Sequence, residues 1–415
     1  MSSFEYRKNE LYVEGVSVRK LAESYGTPLY VYSRNHISEQ YRALAGAMAK
    51  IGPLICYSMK ANSNVAVIRT LIDEGAGIDI VSGGELHRAL SAGADPAKIV
   101  FAGVGKTRDE IEYALSENIL FFTVESEPEA IRISECARKV RRTGRIAFRV
   151  NPDVDAGTHK HITTGKKENK FGMSMERVAK ACRTAAGLPN VEIVGIHMHI
   201  GSQILSAQPF ADALQKLAGF CGELKAKYHS FRYVDIGGGI GIQYQAGQKP
   251  LSPKAYAAKV MPVLKRLGLS VVMEPGRYLV GNSAVLVCRV QYVKHNGKKT
   301  FVVVDAAMND LIRPMLYEAH HDVLPVMRRK GVFRADLVGP ICESGDFLAL
   351  DRDLPVAEEN DLLALTSAGA YGFTMASNYN SRPRPAEIMV DEKQSFVVRK
   401  RETWKDLVRG EILPG

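Results

Sequence analysis

The sequence predicts an α/β domain built as a (β/α)8 TIM-like barrel, joined to a C-terminal all-β domain of the β-sandwich or small β-barrel type. Three observations carry that expectation. Eight short apolar runs alternate with helix-like segments between Leu54 and Met273, and nearly every run stops at a polar or glycine-bearing segment. Past Arg277 the period changes to that of alternating strands. At 415 residues the chain exceeds the usual single-domain size, which leaves room for both parts.

The eight runs are Leu54–Met59, Gly77–Val81, Ile99–Val104, Leu120–Val124, Ile146–Val150, Val194–Ile200, Tyr233–Ile236 and Val271–Met273. Between them, segments such as Asn64–Glu74, Gly84–Ala92, Arg108–Ser116, Glu127–Arg142 and Pro209–Lys227 set apolar residues at helical spacing with charges on the other face. A doubly wound sheet is the competing architecture. Beyond Arg277, Val285–Val293 and Thr300–Val304 are joined through His295-Asn296-Gly297-Lys298, where Asn-Gly favours a tight hairpin turn. Leu362–Leu365 and Ile388–Val390 extend the β domain, and Glu10–Val13 is expected to supply its first strand. The expected boundaries are 30–280 for the barrel and 281–415 for the β domain, completed by residues 1–29.

Composition excludes several classes. Apolar residues make up 46% and charged residues 24%, as in ordinary soluble domains. No run approaches the roughly 20 apolar residues of a membrane span, and the N-terminus lacks a secretory pattern. A cytoplasmic protein without a membrane partner is therefore expected. The six cysteines form no CxxC pair, so neither a disulfide framework nor a zinc site is indicated. The net charge is +10, but the basic residues are interleaved with acids, which argues against a nucleic-acid partner. Attraction for anionic small molecules or an acidic protein stays open.

The run-terminal residues carry the chemistry, because barrel active sites are built beyond the C-terminal ends of strands. Lys60 follows the first run, where an amine can act as a covalent catalyst. Asp79 lies within the second run, in the segment Asp79-Ile80-Val81-Ser82-Gly83-Gly84-Glu85 at which that run stops. Gly237, Gly238 and Gly239 follow the seventh, and Gly276 and Arg277 the eighth, the two loops that recurrently bind phosphate in such barrels. A tight turn is the competing use of those glycines. Glu274 ends a buried strand and needs a cation or proton donor; a protonated pyridine nitrogen would serve, as would Arg277 or another arginine.

Of His197 and His199, only one is expected to face the barrel mouth, so metal binding by the pair is not expected. His199 is the better placed to stack on a flat ring, with Ser202 reaching a phosphate; a hydrogen-bonded structural role is the alternative for His199. Cys342 and Glu343 lie in the loop-like Gly339–Asp346, where a thiol could donate a proton near neutrality if it is not simply buried.

Together these motifs resemble the fold type III, alanine-racemase-like decarboxylases, which use pyridoxal 5'-phosphate (PLP), and within them the branch that acts on diaminopimelate. The resemblance spans Leu29-Tyr30-Val31-Tyr32 to Arg382-Pro383-Arg384-Pro385-Ala386-Glu387. It implies that Lys60, within Tyr57–Asn62, forms the Schiff base and that His199 stacks on the ring. It also implies that Gly237–Gly239 and Glu274–Arg277 hold phosphate and pyridine nitrogen, and that Tyr371 touches the phosphate. Arg277, Arg313 and Tyr317 match residues that grip diaminopimelate carboxylates, consistent with bidentate guanidinium clamps. Glu343 would bind the distal amine, Tyr371 would also line the substrate, and Cys342 would be lent by the second subunit of a homodimer as the proton donor. Thr158–Gly165 and Lys170–Gly172 also look like this branch.

Glu358-Glu359-Asn360-Asp361-Leu362 departs from the usual glycine before the aspartate. The expected reaction is decarboxylation of meso-2,6-diaminopimelate, a small-molecule diamino acid, to L-lysine and CO2. Competing readings are a related decarboxylase for another diamino acid or a carrier-bound amino acid, a non-catalytic PLP-binding relative, and a racemase.

Overall fold

Eight parallel strands close into a barrel in which each pairs with the next in sequence and the eighth pairs with the first. The structure, a computed structural model, describes residues 3–154 and 170–415. The strands are Leu54–Ser58, Gly77–Ile80, Ile99–Phe101, Phe121–Val124, Gly144–Arg149, Val191–His197, Tyr233–Asp235 and Ser270–Met273. Each falls on one of the eight apolar runs. Cys56, Val100, Phe121, Ala147, Val194 and Val272, drawn from six of these strands, form one buried cluster. Because all eight strands are parallel, every strand-terminal signature lies at the same end of the barrel.

Six of the helices between strands start at side-chain caps, while Gln208–Lys227 starts at Ala207 without one. Asn64, Ser82, Thr107, Ser126, Ser174 and Ser252 each accept a backbone N–H from the first turn of the helix that follows, and Thr107 with Glu110 completes a capping box. Such caps fix where each of these helices begins, and so fix the length of the loop that carries the site residues.

The chain divides into two units: Gln40–Ile242 with Lys249–Leu279, which contains the barrel, and residues up to Glu39 with Gln243–Gln248 and Val280–Gly415. The second is mostly sheet. In the main path of its nine-stranded sheet, Ala284–Asn296 pairs antiparallel with Lys299–Val304 on one side and with Leu29–Ser33 on the other. Side chains alternate across these strands. Tyr30, Tyr32, Leu286, Cys288 and Val290 pack into one core, while Leu29, Val31, Val285 and Val287 pack into another. The second core is completed by Leu11, Val13, Val18 and Leu21 from the N-terminal segment.

Three details differ from the sequence reading. Leu29–Ser33 lies in the sheet unit and not at the start of a barrel beginning near residue 30. It pairs with Ala284–Asn296 and, in parallel, with Ala386–Asp391, and all five of its residues are buried. The first strand of the chain is Phe4–Arg7, and Glu10–Val13 pairs with it in a separate three-stranded sheet. In the hairpin, Asn296 pairs with Lys299, so the two turn residues are Gly297 and Lys298; Gly297 has φ +60°, a value its missing Cβ tolerates.

Candidate active site

The barrel mouth gathers a chain of charged groups. Lys60 sits in a short helical turn directly after the first strand, and its Nζ lies 2.7 Å from Oδ2 of Asp79 at the neighbouring strand. Asp79 is fully buried while Lys60 remains half-buried. Ser58 Oγ stands 2.6 Å from the same Asp79 oxygen and 2.9 Å from the carbonyl of Glu274. Burial, and next the charge of Glu274, pushes the Asp79 carboxyl up from its ordinary range, against the pull of Lys60. The first, second and eighth strands thus share one hydrogen-bonded chain at their ends.

Glu274 is buried and accepts a hydrogen bond from Nε2 of His197 at 3.0 Å. Burial opposes its ionisation, but His197, Lys60 and His199 outweigh that effect and hold its carboxyl below the usual range. Among the described residues, its second oxygen, Oε1, is buried without a hydrogen-bond partner. Asp235 adds another buried acid; burial and then the charge of Glu274 push its carboxyl well above the ordinary range. Donor atoms of His197, Asp235 and Glu274 lie within 4.8 Å of one another.

The expectation that His197 and His199 face opposite ways is corrected here. Two residues apart on an extended chain, they share a side, and both imidazoles act on Glu274. Burial, then the charges of Arg149 and Lys60, push His199 well below its ordinary value. Nδ1 of His199 accepts the N–H of Gly238 at 3.3 Å.

The glycines are required sterically. A Cβ on Gly238 would lie 2.1 Å from the carbonyl oxygen of Glu274, and one on Gly239 would lie 2.4 Å from that of Gly201. At Gly237, with φ +64°, a Cβ would meet the carbonyl of Met198 at 2.5 Å. A Cβ on Gly276 would press on Ser58 and Ala61 at 3.0 and 3.1 Å. Ser202, expected to reach for a phosphate, accepts from Arg277, at 3.2 Å from Nε and 3.0 Å from Nη2. Arg277 is itself buried, and a guanidinium with a hydroxyl in reach satisfies part of its donor fork.

The remaining expected residues lie in the sheet unit. Arg313, buried, opens the short helical turn Arg313–Tyr317, in which Tyr317 is half-buried. Cys342 and Glu343 are exposed, so the thiol is not a packed core group. The N–H of Cys342 donates to Oδ1 of Asn380. Tyr371, half-buried, has φ +58°, a left-handed conformation costly for a tyrosine. Thr158–Gly165 lies outside the described residues.

Sequence reasoning missed two participants. Asp235 was readable as an acid two residues before the triple glycine. His197 was set aside in favour of His199, although the strand period placed both together.

Comparison with known proteins decides the family. The family described as "Pyridoxal-dependent decarboxylase, pyridoxal binding domain" matches residues 34–281. Over 414 residues the chain is 51% identical to diaminopimelate decarboxylase of Pseudomonas aeruginosa, covering 100% of this chain and 99% of that protein. The chain belongs to the diaminopimelate decarboxylase family. The crystal structure of diaminopimelate decarboxylase from Helicobacter pylori complexed with L-lysine superimposes with a TM-score of 0.91 at 41% identity, over 94% of this chain and 98% of that one. The crystal structure of diaminopimelate decarboxylase from M. jannaschii in co-complex with L-lysine gives a TM-score of 0.94 at 36% identity, over 100% of this chain and 99% of that one.

The cofactor of this family is PLP, and the barrel mouth fits it. Lys60 offers the amine, the glycines bring backbone close to where a phosphate would lie, and the orphaned Oε1 of Glu274 awaits a proton donor such as a pyridinium.

Proposed function

We propose that this chain removes CO2 from meso-2,6-diaminopimelate to give L-lysine, the last step of lysine biosynthesis, with PLP joined to Lys60. The full-length identity of 51% to a diaminopimelate decarboxylase is the observation that carries the reading. When bound, the cofactor supplies an electron sink for the pair released as the carbon–carboxylate bond breaks.

The residues have distinct tasks. Lys60, paired with Asp79, would hold the cofactor through its amine. Glu274, kept ionised by His197, would hold a proton on the pyridine nitrogen and so preserve the sink. His199 would stack on the ring, while Gly237–Gly239, Gly276, Arg277, Ser202 and Tyr371 would meet the phosphate. Arg277, Arg313, Tyr317 and Tyr371 hold the substrate, with the two guanidiniums on its carboxylates. Glu343 takes the distal ammonium. Cys342 returns a proton to the carbon that has lost CO2; its exposure in the single chain suits a residue lent to a second copy, so the working form is a homodimer. No helix among the described residues is long and apolar enough to cross a membrane, and a cytoplasmic location suits a biosynthetic enzyme.

The test is CO2 release from meso-diaminopimelate, ornithine, lysine and arginine by the PLP-loaded protein. Release from diaminopimelate alone is expected. Activity confined to ornithine or arginine would overturn the assignment.

A further inference from the structure

Arg313 does not stand alone. Its Nη1 lies 2.9 Å from Nε2 of His321, a fully buried histidine, and Nδ1 of that ring lies 2.8 Å from the carbonyl oxygen of Thr366. A guanidinium has only donors and a carbonyl only accepts. Nε2 must therefore accept from Arg313, and Nδ1 must donate to Thr366. One tautomer alone satisfies both contacts: the neutral ring with its proton on Nδ1.

The ring is held in that orientation by the backbone. Val323–Pro325 pairs antiparallel with Leu362–Leu365, Val323 opposite Leu365, and the N–H of Thr366 donates to the carbonyl of Asp322 at 2.9 Å. This ladder brings Thr366 beside His321 although 45 residues separate them. Arg352 donates to the His321 carbonyl at 2.7 Å. Tyr244 closes the arrangement, its ring edge-on to His321 at 5.6 Å and beneath the Arg313 guanidinium at 4.6 Å. A cation over an aromatic face and a hydrogen bond to a fixed imidazole restrain the same head group from two directions.

We propose that His321 is a positioning residue for substrate recognition: as a fixed neutral acceptor it aims the Arg313 guanidinium at a substrate carboxylate. This rests on the reading of Arg313 as a carboxylate ligand. An arginine free to swing would lose affinity by having to be ordered on each binding event. An imidazole serves better than a carboxylate here because it restrains the guanidinium without neutralising its charge.

The test compares His321→Gln, whose amide oxygen can take the place of Nε2, with His321→Asn, whose shorter amide can reach Thr366 but not Arg313. Arg313→Met is the reference. Steady-state kinetics of the PLP-loaded enzyme with meso-diaminopimelate should show KM raised roughly tenfold in His321→Asn with kcat little changed, and restored to within about threefold in His321→Gln. Combining His321→Asn with Arg313→Met should add little to Arg313→Met alone. If Arg313→Met leaves KM unchanged, the carboxylate reading of Arg313 fails. If Arg313→Met raises KM but the Asn variant does not, or the two effects simply add, or Gln is no better than Asn, the role of His321 is overturned. Melting curves of the variants exclude a KM change caused by partial unfolding.

Discussion

Gly238→Ala offers a sharp test of how the barrel mouth is built. The new methyl would lie 2.1 Å from the carbonyl oxygen of Glu274 and 3.0 Å from its carbon, while the contacted atoms are backbone and cannot rotate away. The overlap is more than roughly 1 Å against an ordinary carbon contact. Relief requires the ends of the seventh and eighth strands to part. These ends are tied by the N–H of Glu274 to the carbonyl of Gly237 at 2.8 Å, and the displaced Glu274 carbonyl also contacts Ser58 Oγ. We expect a loss of about 3 kcal/mol, the upper part of the range for overpacking a rigid site. Gly219→Ala is the matched control. It lies in the helix Gln208–Lys227 with nothing within 4 Å of its added Cβ, and should stabilise by about 0.5–1 kcal/mol. Denaturant melts give both values, and titration with PLP followed by absorbance gives cofactor affinity, which should fall in Gly238→Ala and stay constant in Gly219→Ala. A Gly238→Ala protein that melts with the parent and binds PLP equally well would refute the steric account.

Other substitutions probe separate parts of the reasoning. Lys60→Ala should lose the visible absorbance of the lysine–cofactor linkage and resist trapping by borohydride; persistence of both would identify a different lysine. Cys342→Ala should lower kcat by about 100-fold or more, as expected for loss of a proton donor, with an unchanged melting curve because the side chain is exposed. Asp310 addresses pH. Burial pushes its carboxyl up to about 7 from an unfolded value of 3.8, so the folded chain keeps a proton that the unfolded chain has released. That contribution to stability is present below about pH 4, declines as pH rises through the interval to 7, and is flat above it, amounting to at most about 4 kcal/mol. Asp310→Asn should flatten this decline in denaturant melts at pH 5 and 7.5, and an unaltered slope would assign it to other groups.

The barrel was legible because each strand is a short run of β-branched and aromatic residues closed by a glycine or polar segment, and a run such as Ile99–Phe101 cannot continue as a helix through Gly103 and Gly105. The boundary at residue 30 was misplaced because Leu29–Ser33 belongs to the sheet unit. A strand buried on both faces reads as continuous apolar sequence whether its neighbours are barrel strands or sheet strands, and only the pairing with Ala284–Asn296 distinguishes them. At the site, Lys60, Glu274 and the glycines could be found because strand ends place them. The contact of His321 with Thr366 could not, since a ladder between distant strands creates it. Nor could the engagement of Ser202 by Arg277, because which donor a hydroxyl meets depends on rotamers that sequence period does not set.

The closure of the barrel has a consequence for the order in which the molecule is made. Val272 pairs with Leu54 and Met273 with Ile55, so the last strand synthesised seals against the first, and the N–H of Ser58 reaches the carbonyl of Pro275 at 3.2 Å. Lys60 and Glu274 become neighbours only at that seam. A ribosome-bound chain that has not yet delivered its eighth strand carries the reactive lysine without the carboxylate that completes its pocket. Cofactor capture is thereby reserved for chains whose ring has shut, and the appearance of the bound chromophore during refolding should report the final stitch rather than the early collapse.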